Sequence, residues 1–309
     1  MAIRKPVTMT TNSYHIPVLL HAAVDSLNIN PEGVYVDVTF GGGGHSKLIL
    51  EKLTTGTLYA FDQDADAKSN LPDHPNLVFI PANFKFLSNF LLLHGVNEIH
   101  GILADLGVSS HQFDDPERGF SFRFDHRLDM RMDTNASLDA YAVVNTYEQN
   151  DLANVLYLYG ELKNSRQIAS RVVTARTTQP ISTTFELQEV IKSLVPQRML
   201  TGFMAQVFQA LRIEVNKELD ALEFLLNDAT KMLAKGGRMV IISYHSLEDR
   251  MVKNFIKAGN VAGEQQKDFY GNLIRPLVEI TKKPIVPDEN EIAINNRARS
   301  AKMRVAEKL

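Results

Sequence analysis

The most informative stretch of this chain is Val34–Ser46, which reads Val-Tyr-Val-Asp-Val-Thr-Phe-Gly-Gly-Gly-Gly-His-Ser. Its apolar run Val34–Val38 predicts a buried parallel strand, and Ser46–Leu53 predicts a helix. Four consecutive glycines lie between them. Because glycine costs backbone entropy and buries no side chain, such a run indicates a sharp turn or the close approach of a ligand.

The residues around the glycines narrow the choice of ligand. A phosphate loop needs Lys and then Ser or Thr after its last glycine, whereas His45 follows Gly44 here. The dinucleotide pattern G-x-G-x-x-G starting at Gly41 fails because its last position is Ser46. What remains is the looser pattern D-x-x-x-G-x-G, which begins at Asp37.

An acidic residue about 20 positions further on completes this looser pattern. Asp62 closes the apolar run Thr57–Asp62, and a carboxylate there can accept both hydroxyls of an unphosphorylated ribose. The set resembles the S-adenosylmethionine site of class I methyltransferases. The glycines alone leave a nicotinamide cofactor and a purely structural turn as alternatives.

Length and composition limit the class of protein. The chain has 309 residues, which favours one large domain or two, and it is 44% hydrophobic. It has no cysteine, which excludes disulfides, Cys-ligated zinc and a thiol nucleophile, and fits a cytoplasmic location. No apolar run of ~18 residues predicts a membrane span. The first residues lack the apolar core of a signal peptide. The net charge of -3 leaves nucleic-acid binding to local basic patches.

Strands and helices alternate over the first hundred residues. After the glycine loop we expect, in order, strand Thr57–Asp62, strand Leu77–Ile80, helix Phe84–Leu93 and strand Ile99–Asp105, with a helix from His15 to Leu27 before the loop. Such alternation predicts an α/β fold with a doubly wound parallel sheet. Asp62, Asp105 and the glycine loop would then lie at the carboxyl ends of strands, where open sheets bind ligands.

The pattern changes after Asp105. No strand-like run occurs from Leu106 to Leu211. Helices are expected instead at Leu138–Val144, Glu148–Tyr159, Ser165–Arg176 and Thr184–Leu194. We therefore predict a cofactor domain made of residues 1–112 and 211–309, with residues 113–210 inserted as an all-helical substrate-recognition domain. A helix Ala210–Lys235 and strands Arg238–Ser243, Leu277–Thr281 and Ala301–Ala306 complete the prediction.

Several blocks resemble one family over nearly the whole chain. They are His15–Leu20, Phe40–Ser46, Asp105–Asp114, Arg118–Phe122, Leu128–Met132, Phe208–Asn216, His245–Arg250 and Asn296–Lys302. In these blocks the chain resembles the bacterial ribosomal RNA small subunit methyltransferase H family (the MraW type). The resemblance implies a class I, Rossmann-like methyltransferase fold and methylation of the N4 amine of a cytidine in the decoding centre of 16S rRNA. S-adenosyl-L-methionine is the implied cofactor and the small ribosomal subunit the implied partner. A homodimer is left open.

The resemblance also implies which residues contact the cofactor. They are Gly42, Gly43, Gly44, His45, Asp62, Phe84, Asp105 and Gln112. The alternatives are a helix cap or packing role for His45, a core position for Phe84 and a solvated strand end for Asp105.

The target amine needs orientation, because its lone pair is delocalised into the cytosine ring. Many amino methyltransferases use an Asp/Asn-Pro-Pro-aromatic tetrapeptide, but the matching residues Asp105–Val108 lack the prolines. Asp105, Asp129 and His245 are therefore the candidate catalytic residues. No His, Asp or Glu cluster has convincing metal spacing, so no metal is predicted.

Substrate binding is expected from arginines interleaved with phenylalanines. Arg118, Arg123 and Arg131 are the candidates, with Arg127 and with Phe113, Phe120, Phe122 and Phe124 beside them. Arginines hold phosphates and aromatic rings stack on splayed bases. A second basic strip comprises Arg297, Arg299, Lys302 and Arg304. For any single residue of the loop, a solvated charge or a core phenylalanine is the alternative.

Three departures from the family pattern concern loop geometry. His126-Arg127 stands where Gly-Pro is expected, Tyr244 replaces the usual Phe, and Met199–Phe203 lacks a His-Pro. Competing functions are a DNA amino-methyltransferase, which the missing prolines disfavour, and a nicotinamide oxidoreductase, which Ser46 disfavours. A non-catalytic ribosome-assembly factor is the alternative from another class.

Overall fold

A computed structural model describes residues 17–309, so His15 and Ile16 of the predicted first helix lie outside the described residues. The first helix, α1, comprises Leu20–Ser26. It begins after Leu19, whose φ of 53° is left-handed and cannot continue a right-handed helix.

One seven-stranded sheet forms the centre of the molecule. Its strands are β1 (Val34–Asp37), β2 (Thr57–Phe61), β3 (Leu77–Ile80), β4 (Ile99–Asp105), β5 (Leu233–Ser243), β6 (Leu277–Glu279) and β7 (Lys302–Lys308). The order is β3-β2-β1-β4-β5-β7-β6, and β7 alone runs antiparallel to its neighbours. The predicted doubly wound α/β fold is confirmed.

Helices flank the sheet and fill the segment between β4 and β5. They are α2 (Gly44–Leu50), α3 (Leu87–Leu93), α4 (Ser110–Asp114), α5 (Ala140–Thr146), α6 (Gln149–Gly160), α7 (Ser165–Arg176), α8 (Thr184–Ile191), α9 (Leu200–Asn216), α10 (Glu218–Met232), α11 (Ser246–Ala258) and α12 (Glu289–Ile294). Short 3₁₀ turns occupy Ala65–Asn70, Phe84–Phe86, Pro116–Arg118, Lys192–Leu194, Gln197–Met199 and Asn296–Ser300. No helix in the described chain combines the length and hydrophobicity needed to cross a membrane.

The predicted single helix Ala210–Lys235 is wrong. The chain breaks at Lys217, whose φ of 50° separates α9 from α10. The apolar spacing continues across this break, so periodicity could not show it. Strand β5 also begins at Leu233, earlier than predicted, with a register shift between Ile99 and Gly101 on its neighbour β4.

Apolar side chains form separate clusters on the sheet and in the helical segment. Val36, Phe61 and Phe255 belong to the cluster on one face of the sheet, and Tyr35 and Ile242 to that on the other. A further cluster joins residues between Phe120 and Val215, mainly from α5 to α9. The segment between β4 and β5 thus has a core of its own.

Candidate active site

The glycine loop turns from β1 into α2 through two left-handed residues, Gly41 (φ 51°) and Gly43 (φ 74°). A Cβ added to Gly43 would lie 2.7 Å from Cζ of Phe40, and one added to Gly44 would overlap the ring of Pro17. Both glycines are therefore required by the packing of the protein itself. A Cβ added to Gly41 would lie 3.9 Å from the Thr39 carbonyl oxygen, an ordinary contact, and Gly42 is exposed, so packing leaves room on this side of the loop.

Asp37 anchors the loop from below. It is buried at the end of β1, where the Ser46 hydroxyl donates to its Oδ2 at 2.7 Å and the Thr39 N–H donates to its Oδ1 at 3.1 Å. Burial raises the pKa of Asp37 to about 6, although these hydrogen bonds oppose the shift. Sequence reasoning used Asp37 as part of a pattern and missed it as a member of the site.

Asp62 follows β2 and accepts two backbone hydrogen bonds. The Gly41 N–H donates to Oδ2 at 2.7 Å, and the Asp64 N–H donates to Oδ1 at 2.9 Å. Each carboxylate oxygen keeps a second lone pair that a ribose hydroxyl can use. Burial raises the pKa of Asp62 to about 6, and the charges of Asp64 and Asp37 add to the shift.

Asp105 ends β4 with one oxygen engaged and one free. The Tyr244 hydroxyl donates to Oδ1 at 2.7 Å, while Oδ2 lies 4.0 Å from Nδ1 of His45. The Asp105 side chain is 21% exposed. Burial raises its pKa to about 6, since the opposing effects of His45 and Tyr244 are smaller.

His45 faces Asp105 as a neutral ring. Its Nε2 lies 3.1 Å from the carbonyl oxygen of Val18, which can only accept, so Nε2 carries the proton and Nδ1 faces the carboxylate. Burial lowers the pKa of His45. The imidazole therefore supplies no formal positive charge to the site at neutral pH.

Asp37, Asp62 and Asp105 thus form a group of carboxylates at the carboxyl edge of the sheet, with Asp37 buried and Asp62 and Asp105 partly exposed. Among residues 17–309, no lysine or arginine lies within ion-pair distance of any of them. A buried anion without a partner favours a cationic ligand. The sulfonium and ammonium groups of S-adenosyl-L-methionine fit this requirement, and its ribose hydroxyls fit Asp62.

A small cleft of about 40 Å³ lies beside this group. Phe84 lines it together with Gln63, Leu106, Met132 and Glu218. The ring of Phe84 is half-buried, packs against the hydrophobic cluster on the sheet and offers the cleft an apolar wall.

Gln112 and Arg118 hold the loop after β4 against the end of β2. The Gln112 amide donates to Oδ2 of Asp64 at 2.6 Å, and its Oε1 accepts from the Ser109 N–H at 3.0 Å. Arg118 is 9% exposed and lies 3.1 Å from the same Oδ2. It also donates to the carbonyls of Arg131 and Met132. The Arg118 guanidinium therefore faces the protein in this conformation.

Asp129 and Arg131 form a two-pronged ion pair. Nε of Arg131 donates to Oδ1 at 2.8 Å, and Nη2 donates to Oδ2 at 2.7 Å. Nη1 of Arg131 donates to the carbonyls of Thr134 and Ala136. Burial alone would raise the pKa of Asp129, but the Arg131 hydrogen bonds outweigh it and the pKa is lowered. This ion pair closes the turn and leaves neither charge free.

The remaining residues of the loop differ in exposure. Arg123 is exposed and has no ion pair among the described residues, and its neighbour Phe124 is 46% exposed. Arg127 pairs with Asp139 at 2.6 Å. Three phenylalanines are at least partly buried: Phe113, Phe120 and Phe122. Arg123, Phe124 and Arg127 are thus the members of the predicted set that the fold exposes, and of these three Arg127 has an ion-pair partner.

The second basic strip is mostly neutralised by neighbouring carboxylates. Arg304 and Lys302 both lie against Asp249, and Arg297 pairs with Asp114. Arg299 is the exposed member of the strip without such a partner in the described chain.

His245 belongs to a polar cluster with Glu218 and Glu248, which line the cleft. Its Nδ1 accepts from the Glu248 N–H at 3.4 Å and caps α11. Its buried Nε2 lies 3.2 Å from Oε1 of Glu248, at an angle that makes no hydrogen bond. Glu218, His245 and Glu248 could each offer a metal a ligand atom, these atoms lying within 4.8 Å of one another. However, the Arg212 guanidinium occupies both oxygens of Glu218, which makes the cluster an ion-pair network.

The sheet has the strand order 3-2-1-4-5-7-6 with β7 reversed, a glycine loop after β1 and an acidic residue after β2. Together these features define a class I methyltransferase dependent on S-adenosyl-L-methionine. The family model described as the MraW methylase family matches residues 12–309, and the chain belongs to this family. The resemblance drawn from the sequence blocks and the predicted cofactor are confirmed.

Individual relatives are similar over almost their full length. The ribosomal RNA small subunit methyltransferase H of Bacteroides fragilis (strain YCH46) is 57% identical over 297 residues, covering 96% of this chain and 98% of the relative. The protein of the same name from Flavobacterium johnsoniae is 57% identical over 302 residues, covering 97% and 99%. A solved rRNA methylase from Streptococcus thermophilus is 14% identical over 96% of this chain and 99% of that one, with a TM-score of 0.41, which is too distant to carry weight.

Proposed function

We propose that this protein transfers a methyl group from S-adenosyl-L-methionine to the N4 amine of a cytidine in the decoding centre of 16S rRNA. The names of the relatives support an rRNA substrate. The observation that carries the proposal is the carboxylate of Asp105. Its Oδ1 is held by Tyr244, and its Oδ2 receives no hydrogen bond from the described residues.

A free carboxylate oxygen suits a cytosine amine. An acceptor on one amine N–H turns the nitrogen lone pair out of conjugation and toward the carbon it attacks. When bound, S-adenosyl-L-methionine supplies a methyl group activated by its sulfonium. Since the pKa of Asp105 is about 6, its carboxylate is ionised at neutral pH and accepts the hydrogen bond. It can also take the proton that the methylated amine releases.

Asp129 and His245, the other two candidates for orienting the base, are better suited to holding the surrounding loops in place. Both oxygens of Asp129 are occupied by Arg131, and His245 caps α11 with its Nδ1. We therefore assign the contact with the target amine to Asp105, and positioning of the surrounding loops to Asp129 and His245.

The cofactor set follows the same reasoning. We propose that the loop Gly42–His45 and Asp105 hold the methionine end, that Asp62 accepts the ribose hydroxyls and that Phe84 packs on the adenine. Gln112 contributes through its hydrogen bond to Asp64, which keeps the end of β2 in place.

The helical segment between β4 and β5 is the proposed binding surface for the RNA. We propose that residues 1–112 and 211–309 bind the cofactor and that residues 113–210 recognise the substrate, which the separate hydrophobic cluster of the helical segment supports. Arg123 is the proposed contact to RNA phosphate, while Arg118 and Arg131 shape the loop that carries it. An rRNA substrate implies a cytoplasmic location.

The test is methyl transfer from labelled S-adenosyl-L-methionine to small ribosomal subunits, followed by nucleoside analysis of the 16S rRNA. Formation of N4-methylcytidine in the decoding centre is the expected result. Label on another base or only on DNA would overturn the assignment. Cofactor binding without transfer to subunits or rRNA would instead favour an assembly factor.

A further inference from the structure

A hairpin between α11 and β6 holds two aromatic side chains in solvent. Phe269 is 98% exposed and Tyr270 is 85% exposed. Their ring centroids lie 5.6 Å apart, with the ring planes at 86°. Neither ring belongs to a hydrophobic cluster of the described residues, and the proposed reaction uses neither. An aromatic pair this exposed calls for a partner surface.

The turn that carries the rings is tightly hydrogen-bonded. The Asp268 carboxylate accepts from the N–H of Tyr270 at 2.9 Å, from the N–H of Asn272 at 2.8 Å and from the Asn272 side chain at 3.0 Å. Gly271 supplies the left-handed residue of the turn, with a φ of 87°. A turn fixed in this way presents its rings to a partner with little ordering cost.

The charges beside the rings favour an anionic partner. Lys267 and Arg275 flank the hairpin, and neither has an ion pair within residues 17–309. Lys308, which is paired in register with Leu277 at the base of the hairpin, has none there either. The segment has two acidic residues, Glu264 and Asp268, and Asp268 keeps its charge within the turn, so the three cations exceed them by one.

We propose that Phe269 and Tyr270 stack on unpaired bases of ribosomal RNA, with the neighbouring cations on its phosphates. Unstacked bases pack on aromatic rings in single-stranded RNA, and lysines and arginines bind the backbone. The inference rests on the proposed function, because rRNA is the substrate named there.

This contact is separate from the nucleotide that is methylated. Strand β6 runs in the direction of β5, since both are antiparallel to β7. The base of the hairpin precedes β6 and lies at the amino edge of the sheet, whereas Asp105 lies at the carboxyl edge. A strand of seven residues such as β4 spans roughly 23 Å. The hairpin therefore contributes to binding of the particle and not to the chemical step.

The double variant Phe269→Ala/Tyr270→Ala tests this contact in methyl transfer to small subunits. Loss of base stacking should raise KM for subunits roughly 10- to 100-fold. The kcat at saturating subunits and the affinity for S-adenosyl-L-methionine should not change. Phe269→Tyr/Tyr270→Phe should retain the wild-type KM. Phe224→Ala, at a phenylalanine 58% exposed on α10, is the matched control and should also behave as wild type.

An unchanged KM in the alanine variant overturns the proposal, as does an equal rise in the Phe224 control. Photo-crosslinking from p-benzoylphenylalanine at position 269 identifies the partner directly. Crosslinks to 16S rRNA are expected, and crosslinks only to ribosomal proteins would contradict RNA stacking. Absence of methyl transfer by the wild-type protein would instead refute the proposed function, and the crosslinks would still report on the hairpin.

Discussion

Charged side chains at the strand ends and in the loop after β4 have opposite surroundings. Asp37, Asp62 and Asp105 have no cationic partner in the described chain, and burial raises the pKa of each to about 6. In the loop, Arg118 and Arg131 are paired with carboxylates and carbonyls, although the buried Nε of Arg118 has no hydrogen-bond partner among the described residues. A protein keeps an uncompensated buried charge where a ligand completes it, and pairs the charges that only hold a loop.

This comparison changes the reading of the arginines. Sequence spacing alone groups Arg118, Arg123 and Arg131 as RNA contacts. Their surroundings separate two structural residues from one that is exposed. The proposed cofactor site is thus formed by the sheet, while the proposed RNA surface has fewer free arginines than the composition of the loop indicates.

Arg118→Ala should have the largest effect, on stability. It leaves Asp64 buried without its guanidinium, and breaking such a pair costs about 3–5 kcal/mol of unfolding free energy. Urea unfolding followed by circular dichroism measures the loss. Arg123→Ala is the matched control and should stay within about 0.5 kcal/mol of wild type. Equal effects of the two substitutions would erase the distinction drawn between them.

Asp105→Asn should separate catalysis from binding. The amide keeps the shape of the side chain but replaces a charged acceptor with a neutral one, so the rate of methyl transfer should fall ~10²–10³-fold. Cofactor affinity should fall far less, because the glycine loop and Asp62 remain. Single-turnover transfer to small subunits and calorimetry of cofactor binding give the two quantities. A fall by the same factor in both would make Asp105 a cofactor ligand only.

Much of the sheet could be predicted because buried parallel strands are continuous apolar runs with a distinct residue at the carboxyl end. Leu77–Ile80 and Ile99–Asp105 were predicted with the observed bounds. The break between the two helices at Lys217 could not be predicted, because nothing about a lysine indicates that its backbone will be left-handed.

The hydrogen-bond and ion-pair partners of the site residues could not be predicted from the sequence either. Arg118 meets Asp64, and Tyr244 meets Asp105, across long stretches of chain. Such pairs form only when separate strand ends and loops are folded together. Spacing identified which residue types gather at this edge of the sheet, but not which charges neutralise one another.

Asp62→Ala should weaken cofactor binding by roughly 1.5–3 kcal/mol, the range for hydrogen bonds to a charged group. It also removes the acceptor for the Gly41 N–H, which connects the glycine loop to β2. Calorimetry with S-adenosyl-L-methionine measures the change, with Asp73→Ala as an exposed control. Unchanged affinity would mean that another group holds the ribose.

Cofactor affinity should fall as the pH falls through about 6, by about tenfold per pH unit for each carboxylate that must ionise. The pKa values of Asp37, Asp62 and Asp105 are raised to about 6, so these groups take up protons below that pH and lose the charge that attracts a cation. The folding stability of the free protein depends on pH in the opposite direction. Their protonation stabilises the fold at low pH, and this contribution is lost as the pH rises through about 6.

Calorimetry at pH 6 in buffers of different ionisation enthalpy should therefore detect protons released on binding. Asp105→Asn should release fewer. Affinity independent of pH between 5 and 7 would contradict the view of these carboxylates as an uncompensated group.

Tyr244→Phe should have the smallest effect of these substitutions, and it tests how Asp105 is held. The Tyr244 hydroxyl is the one hydrogen-bond donor to the Asp105 side chain in the described chain, and it lowers a pKa that burial raises. Its loss should cost about 0.5–1.5 kcal/mol in transition-state stabilisation. The acidic limb of the rate profile should also move to higher pH, because Asp105 then holds its proton more tightly.

A double-mutant cycle with Asp105→Asn tests whether the two residues act together. If Tyr244 works by positioning Asp105, its removal should have little further effect once the carboxylate is gone. Additive losses would assign the hydroxyl a contact of its own with cofactor or base. An unshifted rate profile in Tyr244→Phe would mean that Asp105 is not the group whose ionisation limits the rate.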